Sequence, residues 1–241
     1  MKMEKTLFLA AILITSPATP VHAGFLDKLM DSPIFSPQKT ATDNETIVSA
    51  LKEALSIGTE NAVGSVSRLD GYFANEIIRI LMPPEIGKVA KVLRSAGFGY
   101  KVDEFELSMN RAAERAAPEA AAIFIGAIKE MSFEDAVKIL DGDDTAATDY
   151  FRSKTSGSIH NAFGPIVSSA MNEVGVTRYY KGMVDAYSSI PFTGSVLIDL
   201  DKYVTDRSID GLFYMVGEEE RKIRTDPAAR VTDLLKSVFG K

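Results

Sequence analysis

The sequence predicts an all-α fold: a single multi-helix globular bundle of about nine or ten helices, with at most two short strands. Three observations carry this. Apolar residues recur three and four apart, as in Ile159, Phe163, Ile166, Val167, Ala170, Met171 and Val174. Helix start and stop signals alternate at intervals of roughly 10–25 residues. Strict apolar–polar alternation, the mark of a half-buried strand, is scarce.

Residues 1–23 read as a secretory signal peptide, cleaved between Ala23 and Gly24. Lys2 and Lys5 supply the positive start, residues 6–15 (TLFLAAILIT) the apolar stretch, and Val21-His22-Ala23 the small residues of a cleavage site. The apolar stretch is far short of the ~20 residues that span a bilayer. Residues 24–41 contain Ser32-Pro33 and Ser36-Pro37 and are expected to form a tether. Residues 42–241 are expected to form a single helical domain, since no linker-like segment and no fixed-period repeat divides them.

Within that domain, Thr42 and Glu45 have the spacing of a capping box, and Gly58 is the expected stop. A second helical patch is expected over residues 59–68. Residues 71–82 (GYFANEIIRILM) are ambiguous, because their β-branched content allows a strand. Pro83-Pro84 ends them and opens a helix over residues 85–96, stopped by Gly97. Asp103, with Glu106 three residues on, is the expected cap of the next helix. Pro118 lacks an amide hydrogen, so residues 103–131 are predicted to form two helices meeting near Ala117. Alanines at 112, 113, 116, 117 and 120–122 make a small-residue surface that a neighbour can approach closely.

Ser132 and Asp135 start a helix that ends at Gly142. Asp143 or Asp144 is expected to cap a helix running to about Thr155. Residues 158–174 form another, with Pro165 as a kink and Gly175 as the stop. Helices follow over residues 177–188, 200–225 and 227–239, the last opened by Asp226-Pro227. Residues 192–198 read as a loop or short extended piece.

Composition excludes several chemistries. Cysteine is absent, which removes disulfides, thiol catalysis and Cys-based metal sites. With the signal peptide gone, His160 is the sole histidine and reads as a boundary or surface residue. The formal charge of −6 becomes one unit more negative when Lys2, Glu4 and Lys5 leave. No basic, aromatic-interleaved stretch occurs, so nucleic acid is not an expected partner. No transmembrane segment is expected after cleavage.

Asp141-Gly142-Asp143-Asp144 fails as a calcium loop, because Arg152 stands where a bidentate Glu belongs. Helix stop plus helix cap explains it. Ser36–Lys39 and Ser49–Lys52 have S-x-x-K spacing without the partner motifs of a β-lactamase-type site. Glu218–Lys222 and Glu220–Arg224 are favourable i,i+4 pairs and read as a solvated helix face.

Two segments are less bland. Asn110, Arg111 and Glu114 interrupt the alanine surface, and Thr148, Tyr150 and Arg152 mix hydroxyl, aromatic and guanidinium groups. These six are the candidate ligand-binding residues. Arg111 and Arg152 would neutralise an anionic group, and Tyr150 would stack or donate a hydrogen bond. The competing reading is a polar network buried between close-packed helices.

Across these and further segments, the chain resembles a bacterial family known as domain of unknown function 4197. The resemblance rests on LKEAL (51–55), SMNRAAERAAPEA (108–120), MSFEDAVKILDGDDTAATDYFRSKT (131–155), FGPIVSSAMNEVG (163–175) and DGLFYMVGEEERKIRTDPAARVTDLLKSVFG (210–240). It implies exported, predominantly helical proteins and brings no activity or catalytic residue with it.

The expected role is therefore a non-enzymatic exported protein, periplasmic or secreted, that binds an unknown small molecule or envelope protein. No catalytic residue, cofactor or metal is expected. Two other readings stay open. One is a hydrolase using paired carboxylates, with Glu114 and Asp149 as nominal candidates. The other is a structural or assembly component of the cell envelope.

Overall fold

A computed structural model describes residues 43–188 and 198–229, together with Thr232 and Lys236. Among them the protein is all-α, with no strand. The order is α1 (Asp43–Ser67), a 3-10 turn (Pro84–Ile86), α2 (Gly87–Ser95), α3 (Gly99–Ala116) and a second 3-10 turn (Ala117–Glu119). Then come α4 (Ala120–Glu130), α5 (Phe133–Leu140), α6 (Ala146–Val174), α7 (Val176–Ser188), α8 (Leu200–Thr225) and a last 3-10 turn (Pro227–Ala229). Residues 1–42, most of the 192–198 loop and nearly all of the 227–239 helix beyond Ala229 lie outside the described residues, as does the Thr42 half of the capping box.

The α-helices among the described residues are fewer than the expected nine or ten, because expected breaks did not break. Gly58 does not end α1. It lies inside the helix on the side that packs on α8, where a Cβ would make an ordinary 3.4 Å contact with Ile223 Cδ1. The helices expected over 143–155 and 158–174 are one, α6, which runs through both Gly157 and Pro165. Asp103 does not cap α3, because the helix already begins at Gly99; Asp103 pairs instead with Arg94 at 2.8 Å.

Other local signals are obeyed. Ser132 and Asp135 form a reciprocal capping box on α5. Pro118 falls in the 3-10 turn between α3 and α4. Gly175 ends α6 in the left-handed conformation, φ 81°. Asp199 caps α8 by accepting from the Lys202 amide.

The core follows from residue size. Ala112, Ala113, Ala116, Ala117 and Ala120 are fully buried where α3 and α4 meet their neighbours. α6 packs on α8, α3 and α4, while α1 packs on α8 and α4. Phe124 of α4 meets Phe151 of α6 at 5.3 Å and Phe213 of α8 at 5.9 Å, both edge-on. Burying one such ring contributes roughly 1.5–3 kcal/mol, so this trio fastens three helices to one point.

Residues 68–83, which contain the ambiguous stretch 71–82, are neither helix nor strand. They run as turns and extended backbone between α1 and the first 3-10 turn. Asp70 takes φ 64°, a conformation that Asp tolerates better than most residues. Tyr72 is buried against α8 at Gly211, where a Cβ would come within 2.7 Å of its ring. A segment without regular structure must place its buried backbone groups elsewhere: some bond within its own turns, and the amides of Tyr72, Phe73, Ile80 and Met82 go to side chains.

Candidate functional site

The partners lie on α3. Glu106, Asn110 and Glu114 are spaced by one helical turn and share a buried face. Asn110 is 0% exposed, and both ends of its amide are used. Its Oδ1 accepts from the Ile80 amide at 2.9 Å, while its Nδ2 donates to the Ile80 carbonyl at 2.9 Å and the Glu106 carbonyl at 2.8 Å. Glu106 Oε1 accepts from the Met82 amide at 3.1 Å. Glu114 Oε1 accepts from the amides of Tyr72 and Phe73 at 3.2 and 3.3 Å. The stripe thus stands in for a neighbouring strand.

Arg111 joins this network from the side. It donates to Glu114 Oε2 at 2.6 Å and to Asp70 at 2.7 Å, so it ties the left-handed turn to α3. α8 holds the same segment from the opposite side. The Tyr72 hydroxyl donates to the Ser208 carbonyl at 2.6 Å, and the Tyr203 hydroxyl to the Leu81 carbonyl at 3.1 Å.

Burial pushes the Tyr72 hydroxyl well above its ordinary value of 10.0, and the Glu114 carboxylate adds to the shift. A raised folded-state value means that the hydroxyl contributes stability below pH ~10, lost progressively as pH rises past that value. Urea titrations between pH 8 and 11 are expected to show a decline above pH ~10 that is shallower in Tyr72→Phe. Equal slopes in the two proteins would contradict the assignment.

A third buried carboxylate has a different task. Glu220 of α8 accepts from the amides of Ala147 and Thr148 at 2.9 and 2.8 Å and from the Thr148 hydroxyl at 2.7 Å. These are free donors of the first turn of α6, which carries the positive end of the helix dipole. Asp143 instead takes the amide and hydroxyl of Thr145, at 3.1 and 3.2 Å. Arg224 completes the group, donating to Glu220 Oε1 at 2.9 Å and to the Ile139 carbonyl at 2.7 Å.

The six sequence candidates therefore occupy several places. Asn110, Arg111 and Glu114 share the α3 network. Thr148 belongs to the Glu220 cap. Tyr150 is half-buried and its hydroxyl donates to the Ala127 carbonyl at 3.2 Å. Arg152 lies over the Phe213 ring at 4.6 Å and 3.7 Å from Asp210. Of the two nominal carboxylates, Glu114 is buried on backbone amides and Asp149 is exposed beside Thr145.

The open concavity lies elsewhere. Residues 77–84 and α8 enclose a groove of about 490 Å3, lined by Ile77, Ile78, Arg79, Leu81, Met82, Pro84, Tyr203, Arg207, Asp210, Gly211 and Tyr214. Ile77 and Leu81 are 67% and 57% exposed, and Tyr214 is also exposed. Arg79 lies 4.1 Å over the Phe73 ring and 3.7 Å from Glu106. Asp210 sits between Arg152 at 3.7 Å and Arg207 at 3.5 Å. Among the described residues, no group of three or more His, Asp or Glu is placed to hold a metal, and no helix is long and apolar enough to cross a membrane.

The family described as "Protein of unknown function (DUF4197)" matches residues 41–240. The chain belongs to this family. No curated protein and no solved structure matches it. In this DUF4197 domain the matched span covers both walls of the groove and the whole polar stripe.

Four features of the DUF4197 domain escaped the sequence. Glu106 was assigned to a cap, yet its spacing of four from Asn110 already placed it on their face. Glu220 was read as solvated, yet it continues the buried stripe Ile209, Leu212, Phe213, Val216 and precedes Ile223. The expected Glu218–Lys222 pair is replaced by Glu218–Arg221 and Glu219–Lys222, both at 2.6 Å. The groove had no local signal, since its walls are distant in sequence.

Proposed function

We propose that this protein is exported and acts by binding, without catalysis, a ligand or partner segment in the groove between residues 77–84 and α8. The observation that carries this is an open apolar wall on an immobilised segment. Ile77 and Leu81 face out, while the backbone beside them is fastened at Ile80 and Met82 to buried side chains of α3. Exposing large apolar side chains on a segment held this firmly suits a preformed recognition surface. Export rests on the N-terminal signal pattern of the sequence.

The hydrolase reading finds less support. Paired-carboxylate chemistry needs two carboxyl groups ~5–10 Å apart in an open cleft. Asp210 is the one carboxylate among the described lining residues, and two arginines flank it. The buried carboxylates Glu106, Glu114 and Glu220 already accept backbone hydrogen bonds.

The test is native mass spectrometry of the protein purified from its own host. An added mass that leaves on denaturation is expected. Leu81→Asp, on the groove, should remove it, and Phe133→Asp, at an exposed position on α5, should leave it. An adduct retained by Leu81→Asp would place binding elsewhere and overturn the proposal.

A further inference from the structure

Two arginines line the groove, Arg79 and Arg207, and among the described residues neither donates a short bond to a carboxylate. Arg111 and Arg221 donate short bonds of 2.6–2.7 Å to carboxylates. Arg79 differs: its Nε is buried without a hydrogen-bond partner, and its ion pair with Glu106 is 3.7 Å long. Arg207 reaches Asp210 only at 3.5 Å. A guanidinium presents five donors in a fixed fork suited to a carboxylate or phosphate, and a buried unsatisfied donor in a folded protein calls for an explanation.

We propose that the occupant of the groove is a single-chain anionic amphiphile, a long-chain carboxylate. This rests on the reading of the groove as the binding site. The apolar tail lies along Ile77, Leu81 and Met82, and the carboxylate is taken by Arg79 and Arg207. Charge selects the head: two guanidinium groups and the Asp210 carboxylate leave one positive charge among the lining residues, which a monoanion neutralises and a doubly charged phosphate exceeds. Size selects the class, because about 490 Å3 falls within the roughly 300–1,000 Å3 of small-molecule sites. The local cationic excess also stands against a chain whose formal charge is −6.

The experiment is calorimetric titration of the lipid-stripped protein with decanoate, decanol and decyltrimethylammonium, each below its aggregation limit. Decanoate should bind about tenfold tighter than decanol, with the cation weakest. Arg207→Gln, at an exposed side chain, should erase most of that preference and leave decanol binding unchanged. Equal affinities for decanoate and decanol, both lost in Leu81→Asp, would overturn the charge assignment and leave the groove reading intact. Binding that survives Leu81→Asp would overturn both. If no amphiphile binds and the groove captures a peptide segment instead, the amphiphile inference fails and the groove reading stands.

Discussion

Replacing Asn110 with Ala is expected to lower the unfolding free energy by about 3–5 kcal/mol. The change removes three hydrogen bonds and strands the amide and carbonyl of Ile80, a residue only 1% exposed. Each buried group left unpaired costs about 1–3 kcal/mol. No water can take over easily, since Asn110 and Ile80 are themselves buried. Against a typical total of ~5–15 kcal/mol this loss is large. Asn110→Asp keeps the acceptor and forfeits the donor, so an intermediate loss is expected. Urea denaturation followed by circular dichroism checks both variants, and a loss under ~1 kcal/mol for Asn110→Ala would mean that the clamp is dispensable.

The second large effect belongs to Glu220. Glu220→Ala takes away the acceptor for two amides and one hydroxyl at the start of α6 and removes the carboxylate that the Arg224 guanidinium pairs with. Removing one member of a buried ion pair costs about 3–5 kcal/mol, and loss of a helix cap alone costs ~1 kcal/mol. Both costs fall on the same carboxylate and overlap, so about 3–5 kcal/mol is expected in all. Glu220→Gln retains an acceptor oxygen and should recover part of it. Arg152→Ala sets the scale for comparison: its pair with Asp210 is exposed and long, so under ~1 kcal/mol is expected from the same titration. Similar losses in Glu220→Ala and Arg152→Ala would remove the distinction between cap and surface pair.

The parts of the fold legible in the sequence are those governed by local chemistry. Ser132 and Asp135 meet within one turn, Pro118 lacks its amide hydrogen wherever it stands, and Gly175 relieves a left-handed turn. Positions governed by distant partners were not legible. Gly58 looks like a stop, but it lies inside α1 on the side that packs on α8. Residues 71–82 look like a strand or a helix, yet their buried backbone groups pair with side chains on α3 that the sequence separates from them by an entire helix and its flanking turns.

The candidate site divides in the same way. Asn110 and Glu114 stood out as polar residues on an alanine-rich helix, and a buried network was one of the two readings weighed for them. Their partners were invisible, because backbone amides carry no sequence label. Asp210 and Arg207 had no distinguishing pattern on α8. Only the meeting of α8 with residues 77–84 turns them into the wall of a groove.

Everything proposed for the groove depends on residues 70–82 being held as a rigid wall before any ligand arrives. Residue-resolved amide hydrogen exchange on the free protein tests this most directly. The amides of Tyr72, Phe73, Ile80 and Met82 are bonded to Glu114, Asn110 and Glu106. They are expected to exchange as slowly as the α3 amides, although they lie in no helix, and Asn110→Ala should release Ile80. Exchange of these four amides at the rate of an unstructured peptide would contradict the preformed wall, and with it the groove as the binding site.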